Sequence, residues 1–174
     1  MTILPVIIAP DPRLKVTSPP VKSVDDALRR LMDDMLETMY DVPGIGLAAP
    51  QVGVHKRVIV VDAARKDEDP APMTLANPEV IWTSEELGTY EEGCLSLPEH
   101  YAEVTRPDRV RIRFLDYEGE IREIEVDGVL ATCIQHEIDH LDGILFVDHI
   151  SSLKRSIILR KLAKTKRAEA KAGA

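Results

Sequence analysis

The sequence predicts an α+β fold: short, mostly antiparallel strands around a central metal-binding helix, with one further helix toward each end of the chain. Three patterns predict it. Apolar residues recur at three- and four-residue spacing over 24–40 and again over 129–140, the period of a helix with one buried face. Between them lie short segments, rich in β-branched residues and separated by Pro, Gly and Asn, that read as strands and turns. A chain of 174 residues suits one domain with its own core. Within it, residues 1–150 are expected to form the body and 151–174 a basic helical tail.

Residues 1–22 carry Pro5, Pro10, Pro12, Pro19 and Pro20. They read as an extended lead-in, because proline lacks the N–H that helix and ladder require. Ser23 then suits an N-cap, with Asp25 and Asp26 in the first turn, where the helix dipole favours acids. Val24, Leu28, Leu31, Met32, Met35, Leu36 and Met39 mark the buried face of helix 24–40. Its methionines continue the leucine period and are read as core, not as a ligand surface. Next comes Gly44-Ile45-Gly46-Leu47-Ala48-Ala49-Pro50-Gln51-Val52-Gly53. This stretch lacks the Lys-Ser/Thr ending of a phosphate loop and the third glycine of a dinucleotide turn. Gly44 and Gly46 are expected to let another strand or a ligand approach the backbone.

Segment 57–62 reads as a buried strand and 63–72 as a polar loop. Short strands are expected at 73–76 and 79–84, on either side of Asn77-Pro78, and at 87–91, 101–104, 109–116 and 120–126. The last two are joined by Tyr117-Glu118-Gly119, a hairpin signal. Asp127-Gly128 opens the second helix, which ends near Asp142-Gly143, and apolar 144–147 packs it down. From Ser151 a final helix carries Leu153, Ile157, Ile158 and Leu162 on one side, with Lys154, Arg155, Arg160, Lys161 and Lys164 largely elsewhere. Beyond Lys166 its Ala-rich end is expected to fray.

The second helix contains Gln135-His136-Glu137-Ile138-Asp139-His140. Histidines four residues apart lie one above the other, about 6 Å apart along the axis. Both imidazoles can therefore reach one metal ion, and Glu137 beside the first can handle a proton of a water held there. A known extension of this motif takes its third ligand ten residues after the first His. That position is Phe146, which cannot bind a metal, and His149 is off register. Upstream, Glu92-Gly93-Cys94-Leu95-Ser96-Leu97-Pro98 offers Cys94 instead. One thiolate and two imidazoles leave a fourth position for water, the catalytic pattern rather than the closed structural one. Helical spacing puts Val129 and Cys133 on the face of His136 and His140, where they should form a small apolar wall suited to an unbranched side chain such as methionine. Leu130, Ile134, Ile138 and Leu141 form the stripe toward the core. Cys133 is also a candidate fourth ligand, which would close the site. His55, His100 and His149 read as surface or loop residues.

Taken in order, stretch 44–53, Glu92-Gly93-Cys94-Leu95-Ser96 and Gln135-His136-Glu137-Ile138-Asp139-His140 resemble the three signatures of the peptide deformylase family, of the bacterial type with a C-terminal helix. The resemblance extends from Asp11-Pro12-Arg13-Leu14 to the helical tail. It implies hydrolysis of the formyl group from the N-terminal formyl-methionine of new polypeptides, releasing formate. It also implies Cys94, His136 and His140 as metal ligands and Glu137 as general base and acid. Gln51, through its side-chain amide, and Leu95, through its backbone N–H, would face the oxyanion, with Ile45, Gly46, Val129 and Cys133 against the substrate. The ligand set alone suggests zinc. The family implies Fe2+ in the cell, replaceable by Zn2+, Ni2+ or Co2+. An internal peptidase and a metal-binding module without catalysis are the rival readings.

Composition bounds the setting. No run of about 18 apolar residues exists to span a membrane. The first residues have no basic leader and are broken by Pro5 and Pro10, so no secretory signal is expected. Two cysteines without a C-x-x-C pair suggest no disulfide framework, and a cytoplasmic, reducing setting is the default. The net charge of −8 divides unevenly: about +7 from Ser151 onward against about −15 before it. A polyanion would therefore meet the tail, and bacterial relatives imply docking on ribosomal RNA near the peptide exit. No DNA or membrane partner is expected.

Overall fold

The computed structural model describes residues 1–173. Among them α1 (Asp26–Asp41) precedes seven strands: β1 (Gly46–Ala48), β2 (Val58–Val61), β3 (Met73–Thr83), β4 (Leu87–Cys94), β5 (Leu97–Pro107), β6 (Arg109–Leu115) and β7 (Ile121–Asp127). Two helices follow, α2 (Gly128–Leu141) and α3 (Ser152–Ala172). The strands form a five-stranded sheet in the order β1-β2-β3-β6-β7 and a separate β4-β5 hairpin. Each described pairing is antiparallel, and the class is α+β.

Strand β2 shows why the layers stack as they do. All four of its residues are buried, and successive side chains of a strand point to opposite faces. Val58 and Val60 join Met32, Met35 and Met39 of α1 in one core. Ile59 and Val61 join Ala131, Ile134 and Leu141 of α2 in another. The sheet is thus covered by α1 on one face and α2 on the other. Each fully buried methionine contributes about 1.5–3 kcal/mol of transfer free energy. A third core gathers Ile7 and Leu14 of the lead-in, Leu97 and Val104 of β5, Phe146 and Leu162.

Several boundaries differ from the sequence expectation. The N-cap of α1 is Asp25, whose carboxylate accepts from the Leu28 N–H at 2.8 Å, so Ser23 lies outside the helix while Val24 is still buried. Stretch 44–53, given no element from sequence, holds an edge strand, Gly46–Ala48, paired with β2, and a 3-10 turn, Ala49–Val52. The two strands expected around Asn77-Pro78 are one, β3, with register shifts after Ala76 and Val80. Asn77 absorbs the irregularity at φ +48°, a conformation asparagine tolerates. Its side chain bonds both backbone groups of Val21, each at 2.9 Å.

The final helix also departs from expectation. Ser151 caps it, accepting from the Lys154 N–H at 3.2 Å. It continues to Ala172 instead of fraying after Lys166, whose Nζ donates to the carbonyls of Ile8 (3.0 Å) and Pro10 (2.9 Å). The predicted apolar stripe is split: Leu162 is buried, whereas Leu153 and Ile157 are 69% and 43% exposed. The strap under Lys166 reaches the site, because the Ile7 and Ala9 N–H groups donate to the carbonyls of Gln51 (2.7 Å) and Ser96 (2.8 Å).

Candidate metal centre

Helix α2 supplies His136, Glu137 and His140, all buried. The tip of the β4-β5 hairpin supplies Cys94, and the 3-10 turn after β1 supplies Gln51. One donor atom from each of Cys94, His136 and His140 lies within 4.8 Å of the other two. Cys94 Sγ is 3.3 Å from His140 Nε2. His136 Nδ1 bonds Glu92 Oε1 at 2.9 Å, which leaves Nε2 free. A ligand histidine held by a carboxylate through its other nitrogen is the usual outer-shell arrangement of a metal site. One thiol and two imidazoles are a donor set for a divalent transition metal, and the residues fit one.

Cys133, the alternative fourth ligand, is not among the converging donors. Its Sγ instead lies 3.5 Å from the Ile45 carbonyl, because α2 packs that position against the loop before β1. The arrangement therefore has three donors among the described residues.

Glu137 is held close to this cluster. Its Oε2 is buried without a hydrogen-bond partner, and burial pushes its carboxyl up to about 7 against the opposing pull of His136. Gly46 makes room for it: a Cβ there would meet Glu137 Oε1 at 2.6 Å and Cys133 Sγ at 2.8 Å. The Gln51 amide is fixed at both ends. Its Oε1 accepts from the Ala48 N–H at 2.9 Å, while Nε2 donates to Ser96 Oγ at 3.1 Å and lies 3.4 Å from Cys94 Sγ. Ile45, Gly46, Leu95, Val129 and Cys133 line one cleft of about 640 Å³ with His136 and Glu137. All the candidate residues named from sequence border this cleft or adjoin it.

A charged chain behind the cluster escaped the sequence reading. Arg106 donates to both oxygens of Glu92 (2.7 and 2.9 Å) and to Asp139 (2.8 Å). His149 Nε2 is 2.8 Å from the same Asp139 oxygen. Burial alone would raise the Glu92 carboxyl, but Arg106 and His136 hold it down at about 2. Glu92 was visible beside Cys94 as part of a motif, whereas nothing in the sequence marks Arg106. Thr132, which carried no signal, also lines the cleft, as does His100, which the sequence reading makes a surface or loop residue but which lies within β5.

Residues 3–156 match the model of the polypeptide deformylase family. The chain belongs to this family. A peptide deformylase of Methylocella silvestris is 59% identical over 173 residues, spanning 98% of this chain and 88% of the relative. One from Rhizobium meliloti is 54% identical and covers 98% and 99%. Among solved structures, the peptide deformylase of Ehrlichia chaffeensis in complex with actinonin is 41% identical, with a TM-score of 0.92 over 96% of this chain and 99% of that one. The deformylase likeness thus takes in the cleft, the cluster and most of the tail.

Proposed function

We propose that the chain is a metal-dependent hydrolase that removes the formyl group from the N-terminal formyl-methionine of nascent polypeptides, releasing formate. The observation that carries this is the convergence of Cys94, His136 and His140 beside a buried carboxylate, in a chain of the deformylase family. Cys94, His136 and His140 would hold the divalent metal. When bound, the metal supplies Lewis acidity and lowers the pKa of an attacking water. Glu137 takes a proton from that water and returns it to the leaving amine. Its buried carboxylate, with one oxygen left without a hydrogen-bond partner, supports both roles. Water thereby adds to the formyl carbon, the C–N bond breaks, and formate and a free amine leave. The Gln51 amide and the Leu95 backbone N–H donate to the developing oxyanion. The Ala48 N–H fixes the amide with Nε2 beside Cys94 Sγ; the N–H now facing that sulfur would turn to the oxyanion, and one such donor is typically worth about 3 kcal/mol. The backbone at Ile45 and Gly46, with Val129 and Cys133, receives the methionyl residue.

The ion in the cell is Fe2+ in this reading, exchangeable for Zn2+, Ni2+ or Co2+, and the protein works in the cytoplasm. The chain is one domain: residues 1–150 are its catalytic body, and the basic tail meets ribosomal RNA, with binding that weakens steeply as salt rises. Among the described residues no helix is long and apolar enough to cross a membrane. The test is formate release from formyl-Met-Ala-Ser, with metal content assayed in parallel. Formate in proportion to bound metal is expected. Metal-loaded protein that cuts internal peptides without releasing formate would move it to the peptidases.

A further inference from the structure

Beside the cleft lies a second concavity, a groove of about 590 Å³ between β5 and α3. Ala102 of β5, Ile150 just before α3, and Ile157 and Ile158 of α3 line it. Single exposed apolar side chains are ordinary on a protein surface. Here exposed Ile157 and Tyr101 share one hollow with Ala102, Ile150 and Ile158, which are partly buried against the third core, and a clustered apolar patch is the pattern of a binding surface. Helix α3 is held beside the groove at several points from its first turn to Lys166. Arg155 donates to Asp148 at 2.7 Å near the start, while Leu162 is buried and Lys166 grips the lead-in farther along.

Tyr101 joins the two concavities, since it lines both. It pairs with Gly93 across the hairpin, and a Cβ at Gly93 would meet its ring at 2.6 Å. The ring therefore lies against the Gly93 backbone, next to Cys94, yet Tyr101 remains 63% exposed. Tyr101 thus stands where the cleft meets the groove, and an extended polypeptide that leaves the cleft past this ring enters the groove, at about 3.3 Å per residue. The Glu103 and Lys154 side chains on the groove wall are of opposite sign, which favours recognition by apolar contact rather than by charge.

We propose that this groove binds the downstream part of the substrate polypeptide, taking an apolar side chain a few residues beyond the formyl-methionine. The assignment rests on the deformylase reading above. The chosen occupant follows from continuity: the substrate is itself a polypeptide, and Tyr101 is a common wall of the cleft and the groove.

The experiment compares kcat/KM for formate release from formyl-Met-Ala-Ser with that from Ser/Gly-extended peptides carrying Leu or Asp at each position from four to eight. Leu at one or two of these positions should raise kcat/KM at least about fivefold, mainly through KM, and Asp should not. The ratio of long to short substrate is then measured in Ile157→Asp and Ile157→Leu, so that any effect on the shared chemistry cancels. The ratio should fall to near one in the Asp variant and be kept in the Leu variant. Formate from the tripeptide with no dependence on length, or a ratio unchanged by Ile157→Asp, overturns the groove alone. No formate from the metal-loaded protein with the tripeptide overturns the deformylase reading and the groove with it. A dimer of the native chain in sedimentation that Ile157→Asp dissociates, with the ratio unmoved, gives the groove to a second copy instead.

Discussion

Glu137 sits where burial opposes ionisation, and its Oε2, like His140 Nδ1, is buried without a hydrogen-bond partner. Its replacement by alanine is expected to keep a full equivalent of metal, because the three donors are untouched, and to lower kcat at least about 10²-fold. Metal analysis and formate release on the same sample check this. If Glu137→Ala releases formate at the native rate, another group carries the proton. Gly46 is constrained from the opposite direction. Gly46→Ala places a methyl 2.6 Å from Glu137 Oε1 and 2.8 Å from Cys133 Sγ, so carboxylate or helix must shift. A displacement of about 1 Å at a reacting group can cost 10²-fold. Turnover should therefore fall while circular dichroism stays native, and a variant with unchanged kcat would show the cleft to be looser than its geometry implies.

At the scale of elements, the junction between α2 and the β4-β5 hairpin depends on Arg106. Arg106 and Glu92 are 6% and 5% exposed, and removing the guanidinium leaves the buried Glu92 carboxylate without its counter-charge. Arg106→Ala is expected to lower unfolding free energy by about 3–5 kcal/mol, read from urea midpoints at constant slope. A loss under about 1 kcal/mol would mean that water replaces the guanidinium. The junction of α3 with the lead-in is sensitive to acid. Burial would raise the Asp148 carboxyl, but Lys15, the Leu145 N–H and Arg155 hold it at about 2 against an ordinary 3.8. A depressed pKa stabilises the fold above the ordinary value, and that contribution is lost as pH falls from 3.8 toward 2. Asp148→Asn should reduce the slope of the stability profile in this window without abolishing it, because Glu92 and Asp11, also held at about 2, titrate there too. Denaturant titrations across the window in both proteins decide it.

For the molecule as a whole, α3 is both the basic tail and a part of the third core. Leu162 is 4% exposed among Ile7, Ala9 and Phe146. Leu162→Ala should destabilise the chain by about 2–5 kcal/mol, a result that thermal or urea unfolding tests and that an independent appendage would not give. The sequence determined much of this protein by itself. Helical period and strand alternation, read locally, marked α1, α2 and most strands. The spacing of His136 and His140 placed two donors on one face, because four residues make about one helical turn. The upstream thiol was legible through the chemistry of a three-donor site. Features that depend on partners far apart in the chain were not legible locally. Examples are β1, too short to show a period; the unbroken β3, set by the bonds of Asn77 to Val21; and Arg106, whose carboxylates lie 14 and 33 residues away. Tertiary packing also set Cys133 against the Ile45 carbonyl and opened Ile157 on a groove. Local spacing fixes which face of an element a residue occupies, but the element packed against that face depends on the whole chain.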